Sequence, residues 1–141
     1  MEQRKLKLPN SDWVQLLKGL YAVQELPGLK FALVSAKNIR ILKKELADLE
    51  EVAKPTPEFQ ELSKKVAEIQ QGPSEDAARK KAIDELEKDN KSLIEARKKQ
   101  MDELQKLMPE EVELKVWVIK EDMLPETITP GQLNGLFPIL M

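Results

Sequence analysis

The sequence predicts an α+β fold that is mostly helical, in which a long antiparallel helical hairpin projects from a small base of N- and C-terminal strands and short helices. Two observations lead to this fold class. Apolar residues dominate both ends of the chain, whereas residues 43–106 are strongly charged and keep only a thin apolar stripe at helical spacing. Helix-breaking residues at Pro55 and at Gly72-Pro73 also divide this charged middle into helical segments.

The N-terminal end predicts a short strand followed by a helix. Residues 5–8 alternate between polar and apolar side chains, as a half-exposed strand does, and Pro9 ends the run. Apolar residues then recur at three- and four-residue spacing as far as Gln24, which indicates an amphipathic helix. The Pro27-Gly28 dipeptide is a turn signal that ends this helix.

Three helices are expected in the middle of the chain, and their apolar residues have the spacing of a coiled-coil seam. They run from Leu29 to Ala53, from Pro57 to Gln71 and from Ser74 to Met108. The last would be roughly 50 Å long, whereas a compact globule of this chain length is only about 37 Å across. The helices should therefore fold back on each other, with the tip of the hairpin near Gly72-Pro73.

The C-terminal end predicts a strand over residues 112–120 and a final short helix. The hairpin returns the chain to its start, so this strand can pair with the strand near Leu6. Thr129 and Gln132 have the spacing of a capping box, which favours a helix start there. The expected organisation is a single domain, 1–141, with a base from residues 1–30 and 110–141 and a helical hairpin from residues 31–108.

Composition excludes several kinds of chemistry. The chain has no cysteine and no histidine, which excludes disulfides, thiol nucleophiles, Cys- or His-based zinc sites and Ser-His-Asp triads. It also lacks both the GxxxxGK[ST] phosphate loop and the GxGxxG fingerprint. We therefore expect a protein that is not an enzyme and that uses no metal and no cofactor.

Charge and hydropathy indicate where the protein works. The net charge of −2 carries no strong nucleic-acid signal. Residues 1–7 lack the apolar core of a signal peptide, and no segment has the roughly 20 apolar residues of a membrane span. The sequence thus predicts a protein of the cytoplasm that does not enter a membrane.

A basic row on the second predicted helix is the first candidate binding surface. Its members point away from the apolar stripe at seven-residue spacing, with one further cation beside them: Lys30, Lys37, Lys44 and Arg40. Val34 and Ile41 follow the edge of this row and are candidates for contact between copies of the chain. Such a row suits a phosphate-bearing ligand or an acidic partner. A solvated face with ion pairs, in which Val34 and Ile41 pack on a neighbouring element, explains the same pattern.

Trp117 is the second candidate. It lies on the face of its predicted strand opposite Val116 and Val118, because strand side chains alternate. An exposed indole there would stack on a base or anchor a partner, whereas a covered one would simply belong to the core.

Several stretches resemble those of a loose group of small, uncharacterised bacteriophage proteins. The resemblance is carried by Lys30–Arg40, by the acidic helix Glu45–Glu51, by Pro57-Glu58-Phe59 and by the ending Leu124–Leu136. In that group a helical hairpin separates two strand-bearing ends. The resemblance implies a viral origin and assigns no binding residue.

Together these features lead us to expect a non-enzymatic phage accessory protein that acts as a homo-oligomer in the host cytoplasm. Host takeover or counter-defence is the first expectation, either by sequestering a small phosphorylated nucleotide signal or by capping a host protein. A structural or chaperone role in virion assembly is one alternative. Binding to the transcription machinery is another.

Overall fold

The computed structural model describes all 141 residues and confirms a mostly helical α+β fold. Seven α-helices and two short 3₁₀ segments accompany a two-stranded antiparallel sheet. In chain order the elements are β1 (Glu2–Pro9), α1 (Asn10–Ala22), α2 (Leu29–Glu45), α3 (Ala47–Ala53), α4 (Pro57–Gln70), α5 (Asp76–Asp89), α6 (Lys91–Leu107), β2 (Glu111–Val118), a 3₁₀ turn (Glu121–Met123), α7 (Pro130–Gly135) and a second 3₁₀ turn (Phe137–Ile139).

The chain forms two compact units. The first contains Met1–Asp48 and Lys106–Met141, and the second contains Leu49–Gln105. The first unit is larger than the base expected from residues 1–30 and 110–141. The difference arises because α2 buries Phe31 and Leu42 in the core of this unit instead of forming part of a hairpin.

The sheet of the first unit pairs the two ends of the chain, as the strand patterns predict. β1 and β2 run antiparallel over eight residue pairs, and Leu6 lies opposite Leu114. Side chains alternate across the sheet, so Leu114, Val116 and Val118 are buried on its inner face. Pairing closes a sheet that neither strand could form alone.

The core of the first unit lies between this inner face and the helices α1, α2 and α7. Trp13 and Leu20 of α1 are fully buried, and the Trp13 indole Nε1–H donates to the Val112 carbonyl over 2.9 Å. Thr129 and Gln132 form the predicted capping box at the start of α7. Because Gly19 and Gly135 lack side chains, the backbones of α1 and α7 approach closely there.

The second unit contains shorter helices than the sequence predicts. The helix expected from Ser74 to Met108 is divided at Asn90, whose side-chain amide donates to the Leu86 carbonyl over 2.8 Å. The backbone N–H of Asn90 also donates to this carbonyl over 3.2 Å, so side chain and backbone compete for it where α5 ends, and α6 begins one residue later. The helix expected from Leu29 to Ala53 is likewise interrupted at Leu46.

Other contacts in the second unit follow the sequence more closely. The Thr56 hydroxyl accepts from the Phe59 N–H at the start of α4, where threonine is a favoured capping residue. The Arg97 guanidinium donates to the Ala53 carbonyl over 3.0 Å and lies 5.7 Å from the Phe59 ring centroid. Arg97 therefore joins segments distant in sequence within the unit. The long projecting hairpin stays a prediction.

Candidate binding face on the sheet

The outer face of the two-stranded sheet collects the candidate tryptophan and several lysines. Alternation along the strands directs every second side chain away from the core. The register then sets them in three cross-strand pairs. We call this surface the outer sheet face; its pairs are Gln3 with Trp117, Lys5 with Lys115, and Lys7 with Glu113.

The structure brings two sequence-predicted site residues together on this face. The Lys37 ammonium lies 4.4 Å from the centroid of the Trp117 ring, within cation–π range. Both side chains are half-buried. Trp117 is therefore neither a core residue nor a freely exposed one, and part of its indole remains open to solvent.

Asn38 holds α2 against the strand that carries Trp117. Its Nδ2 donates to the Trp117 carbonyl and its Oδ1 accepts from the Trp117 N–H, each over 2.8 Å. The side chain is fully buried and takes the place of a neighbouring strand at this edge of β2. Because Lys37 precedes Asn38, these two hydrogen bonds also position the ammonium beside the indole.

Lys5 and Lys115 form a like-charged pair next to Trp117. They lie directly opposite each other in the register, where cross-strand side chains are about 5 Å apart at Cβ. Like charges in that arrangement destabilise a sheet, so the pair has an electrostatic cost in the free protein. A bound anion would remove this cost.

Few carboxylates neutralise these lysines. Lys7 approaches Glu111 at 3.8 Å, but both side chains are more than half exposed, so the pair adds at most about 1 kcal/mol. No carboxylate lies within 4.0 Å of the Lys5, Lys37 or Lys115 ammonium. Three ammonium groups without a carboxylate partner therefore share this face or its border with the half-buried indole, and Glu113 is the one carboxylate among its register pairs.

The rest of the predicted basic row does not join this face. Lys30 and Lys44 are exposed and lie about 10 Å along the helix on either side of Lys37. Arg40 lies one turn beyond Lys37 and lines a cavity together with Val23 and Gln24 at the end of α1. Of the four cations, only Lys37 makes a cation–π contact with Trp117.

The predicted contact of Val34 with another copy of the chain is wrong. Val34 is fully buried in the core of the first unit, so it offers no surface to a partner. The apolar arc of α2 is wider than the stripe centred on Phe31 and Leu42, because α2 packs against both α1 and β2. Ile41 is half-buried.

Sequence reasoning missed Lys5, Lys115 and Asn38 as part of this site. A two-residue period places Lys115 on the same face as Trp117, so that signal was present in the strand pattern. To place Lys5 opposite Lys115 one must also know the register of the two strands, which the alternating pattern alone does not specify. An asparagine inside a helix carries no sequence signal that it binds a strand edge.

We also searched the structure for a metal cluster and a membrane span, and compared the chain with known proteins. No three acidic side chains come together in a way that would hold a metal ion. No helix combines the length and the apolar composition that a membrane span requires. No protein-family model, curated protein or solved structure matches this chain. The outer sheet face must therefore be interpreted from its own chemistry.

Proposed function

We propose that this protein acts by binding a nucleotide on the outer sheet face. The observation that supports this proposal is a half-buried indole with the Lys37 ammonium over its ring and with Lys5 and Lys115 at the next register pair of the same sheet face, none of the three having a carboxylate within 4.0 Å. An indole face suits an aromatic base, and unpaired ammonium groups suit phosphate oxygens. A nucleotide carries both groups.

Binding would exchange one contact of Trp117 for another. A base stacked on an aromatic side chain contributes about 1–3 kcal/mol, whereas an exposed cation–π contact contributes about 0.5–1 kcal/mol. A base can therefore displace the Lys37 ammonium from the ring. The released ammonium would then bind a phosphate oxygen beside Lys5 and Lys115. A competing explanation is that Lys37 and Trp117 only hold α2 on the sheet.

A calorimetric titration separates the two explanations. We would titrate mononucleotides, dinucleotides and cyclic nucleotides into the protein and into its Lys115→Gln and Lys5→Gln variants. Each variant removes one phosphate contact and should weaken binding about tenfold, which corresponds to about 1.4 kcal/mol. Lys30→Gln and Lys44→Gln remove the same charge from exposed positions and should leave the affinity unchanged. If no nucleotide binds, or if Lys44→Gln weakens binding as much as Lys115→Gln, the proposal fails.

We also propose that copies of this chain associate, and the open edge of β1 supports this. The sheet has only two strands, and residues 2–5 of β1 are exposed. An isolated two-stranded sheet is only marginally stable in water. Antiparallel pairing centred on Gln3 would place Glu2 and Arg4 of the two copies opposite each other, with favourable charge.

Light scattering tests this association. The protein should have the mass of a dimer or a larger oligomer, and Arg4→Glu should shift it toward the monomer because Glu2 then meets a like charge. Lys44→Glu makes the same charge change away from the edge and should not alter the mass. A strict monomer at concentrations near 100 μM, a range typical of weak association, would contradict the proposal.

The biological role we propose for nucleotide binding is sequestration of a host nucleotide signal, in keeping with the resemblance to bacteriophage proteins. Capping of a host protein, virion assembly and binding to the transcription machinery are the other roles considered. Co-purification from infected cells distinguishes them. Recovery of virion proteins or polymerase subunits in stoichiometric amount would contradict the proposed role.

A further inference from the structure

A concave surface lies where α2 meets the C-terminal end of α1, and Trp117 is not among the residues that line it. Its cavity measures about 400 Å³, within the range of roughly 300–1,000 Å³ found for small-molecule sites. The walls include Val23 and Phe31, both 1% exposed, and the half-buried Ile39. An apolar group would therefore find a preformed surface here.

A buried hydroxyl without a partner adjoins this cavity. Ser35 is one of the lining residues and is 4% exposed, and its Oγ makes no hydrogen bond. Buried polar atoms are nearly always hydrogen-bonded, so an unsatisfied hydroxyl needs an explanation. Protein atoms cover the Oγ, so the Ser35 side chain must adopt another staggered rotamer for its Oγ–H to bond a group in the cavity. A ligand acceptor would satisfy it.

Two cations stand at the rim. Arg40 and Lys43 line the cavity and are exposed, and neither has a carboxylate within 4.0 Å. Apolar walls, an unsatisfied hydroxyl and two unpaired cations together suit a molecule with an apolar body and a negative end. A neutral molecule would form no ion pair with Arg40 or Lys43.

We propose that this cavity binds a small amphiphilic anion, an aromatic or aliphatic carboxylate whose apolar body lies against Val23, Phe31 and Ile39. Its carboxylate binds Arg40 and Lys43 and accepts a hydrogen bond from Ser35. The site is independent of the nucleotide proposal, because its residues do not belong to the outer sheet face.

The test uses 1-naphthoate as the probe and 1-naphthalenemethanol as its neutral analogue in calorimetric titrations. The carboxylate should bind at least about tenfold more tightly than the alcohol, as charge-assisted hydrogen bonds require. The double variant Arg40→Gln, Lys43→Gln should remove this preference. Lys30→Gln and Lys44→Gln are matched controls on the same helix and should retain it. Equal binding of the two probes, no binding of either, or an equal loss in the controls would overturn the proposal.

Two further variants separate binding from folding. Ala36 is exposed and lines the cavity, so Ala36→Phe should fill it and abolish binding while circular dichroism stays native. Ser35→Ala should weaken 1-naphthoate binding several-fold and at the same time raise the Tm, because it removes an unsatisfied hydroxyl. A Tm gain with unchanged affinity would show that Ser35 takes no part in a site and would overturn its assigned role.

Discussion

One asparagine closes an edge that the short sheet leaves open. Asn38 both donates to and accepts from the Trp117 backbone, as a residue of a third strand would. It also stands next to Lys37 in α2, so the same bonds that complete the sheet edge place the ammonium over the indole. At the scale of the residue, the Asn38 side chain therefore contributes both to the packing of α2 on β2 and to the position of Lys37 in the candidate site.

Replacement of Asn38 should destabilise the protein strongly. Asn38→Ala leaves the Trp117 N–H and carbonyl without partners in a buried place, and each such group costs about 1–3 kcal/mol. We expect a loss of about 3 kcal/mol in the free energy of unfolding, measured by urea denaturation. Asn38→Asp should be at least as harmful, because it sets an oxygen against the Trp117 carbonyl. Lys44→Ala, an exposed change in the same helix, should cost little; comparable losses would contradict the assigned role of Asn38.

At the scale of elements, α1 and α7 are held together by contact between two glycines. A Cβ atom added to Gly19 would lie 2.5 Å from the Gly135 carbonyl oxygen, closer than a carbon atom can approach. A Cβ added to Gly135 would lie 3.2 Å from the Gly19 Cα. The closeness of the two backbones is thus set by the absence of both side chains.

These distances predict an order of stability for three alanine variants. Gly19→Ala should force the helices apart and cost about 1–3 kcal/mol. Gly135→Ala should cost less, since the added atom meets only a tight contact. Gly131→Ala meets nothing within 4 Å in the same short helix, so it should be neutral or slightly stabilising. Thermal unfolding of the three variants checks the order, and an unchanged Tm for Gly19→Ala would contradict the close approach.

At the scale of the whole molecule, local chemistry could be predicted from the sequence, whereas features that depend on tertiary partners could not. The Thr129 cap and the strand pairing near Leu6 follow from spacing and alternation, and the structure confirms them. The burial of Val34 does not follow, because its helix packs on two elements at once. The helix end at Asn90 does not follow from the sequence, because asparagine, unlike proline or glycine, is often found inside a continuous helix.

In the candidate site, too, the individual residues could be predicted from the sequence, whereas their contacts could not. Trp117 and Lys37 could be singled out from the sequence, one by strand alternation and one by helical spacing. Their contact could not be predicted, because it requires α2 to lie against β2 through Asn38. The lysine pair across the sheet depends on register, which a short alternating strand specifies only through its partner.

Tryptophan fluorescence during a nucleotide titration tests the central claim most directly. The chain has two tryptophans, and Trp13 is fully buried with its indole N–H bonded, so a change on binding reports Trp117. We expect saturable quenching by a nucleotide in the native protein and none in Trp117→Phe. Quenching should also weaken in Lys115→Gln and persist in Lys44→Gln. Unchanged emission across the nucleotide panel, or equal quenching in Trp117→Phe, would contradict a nucleotide site on the outer sheet face.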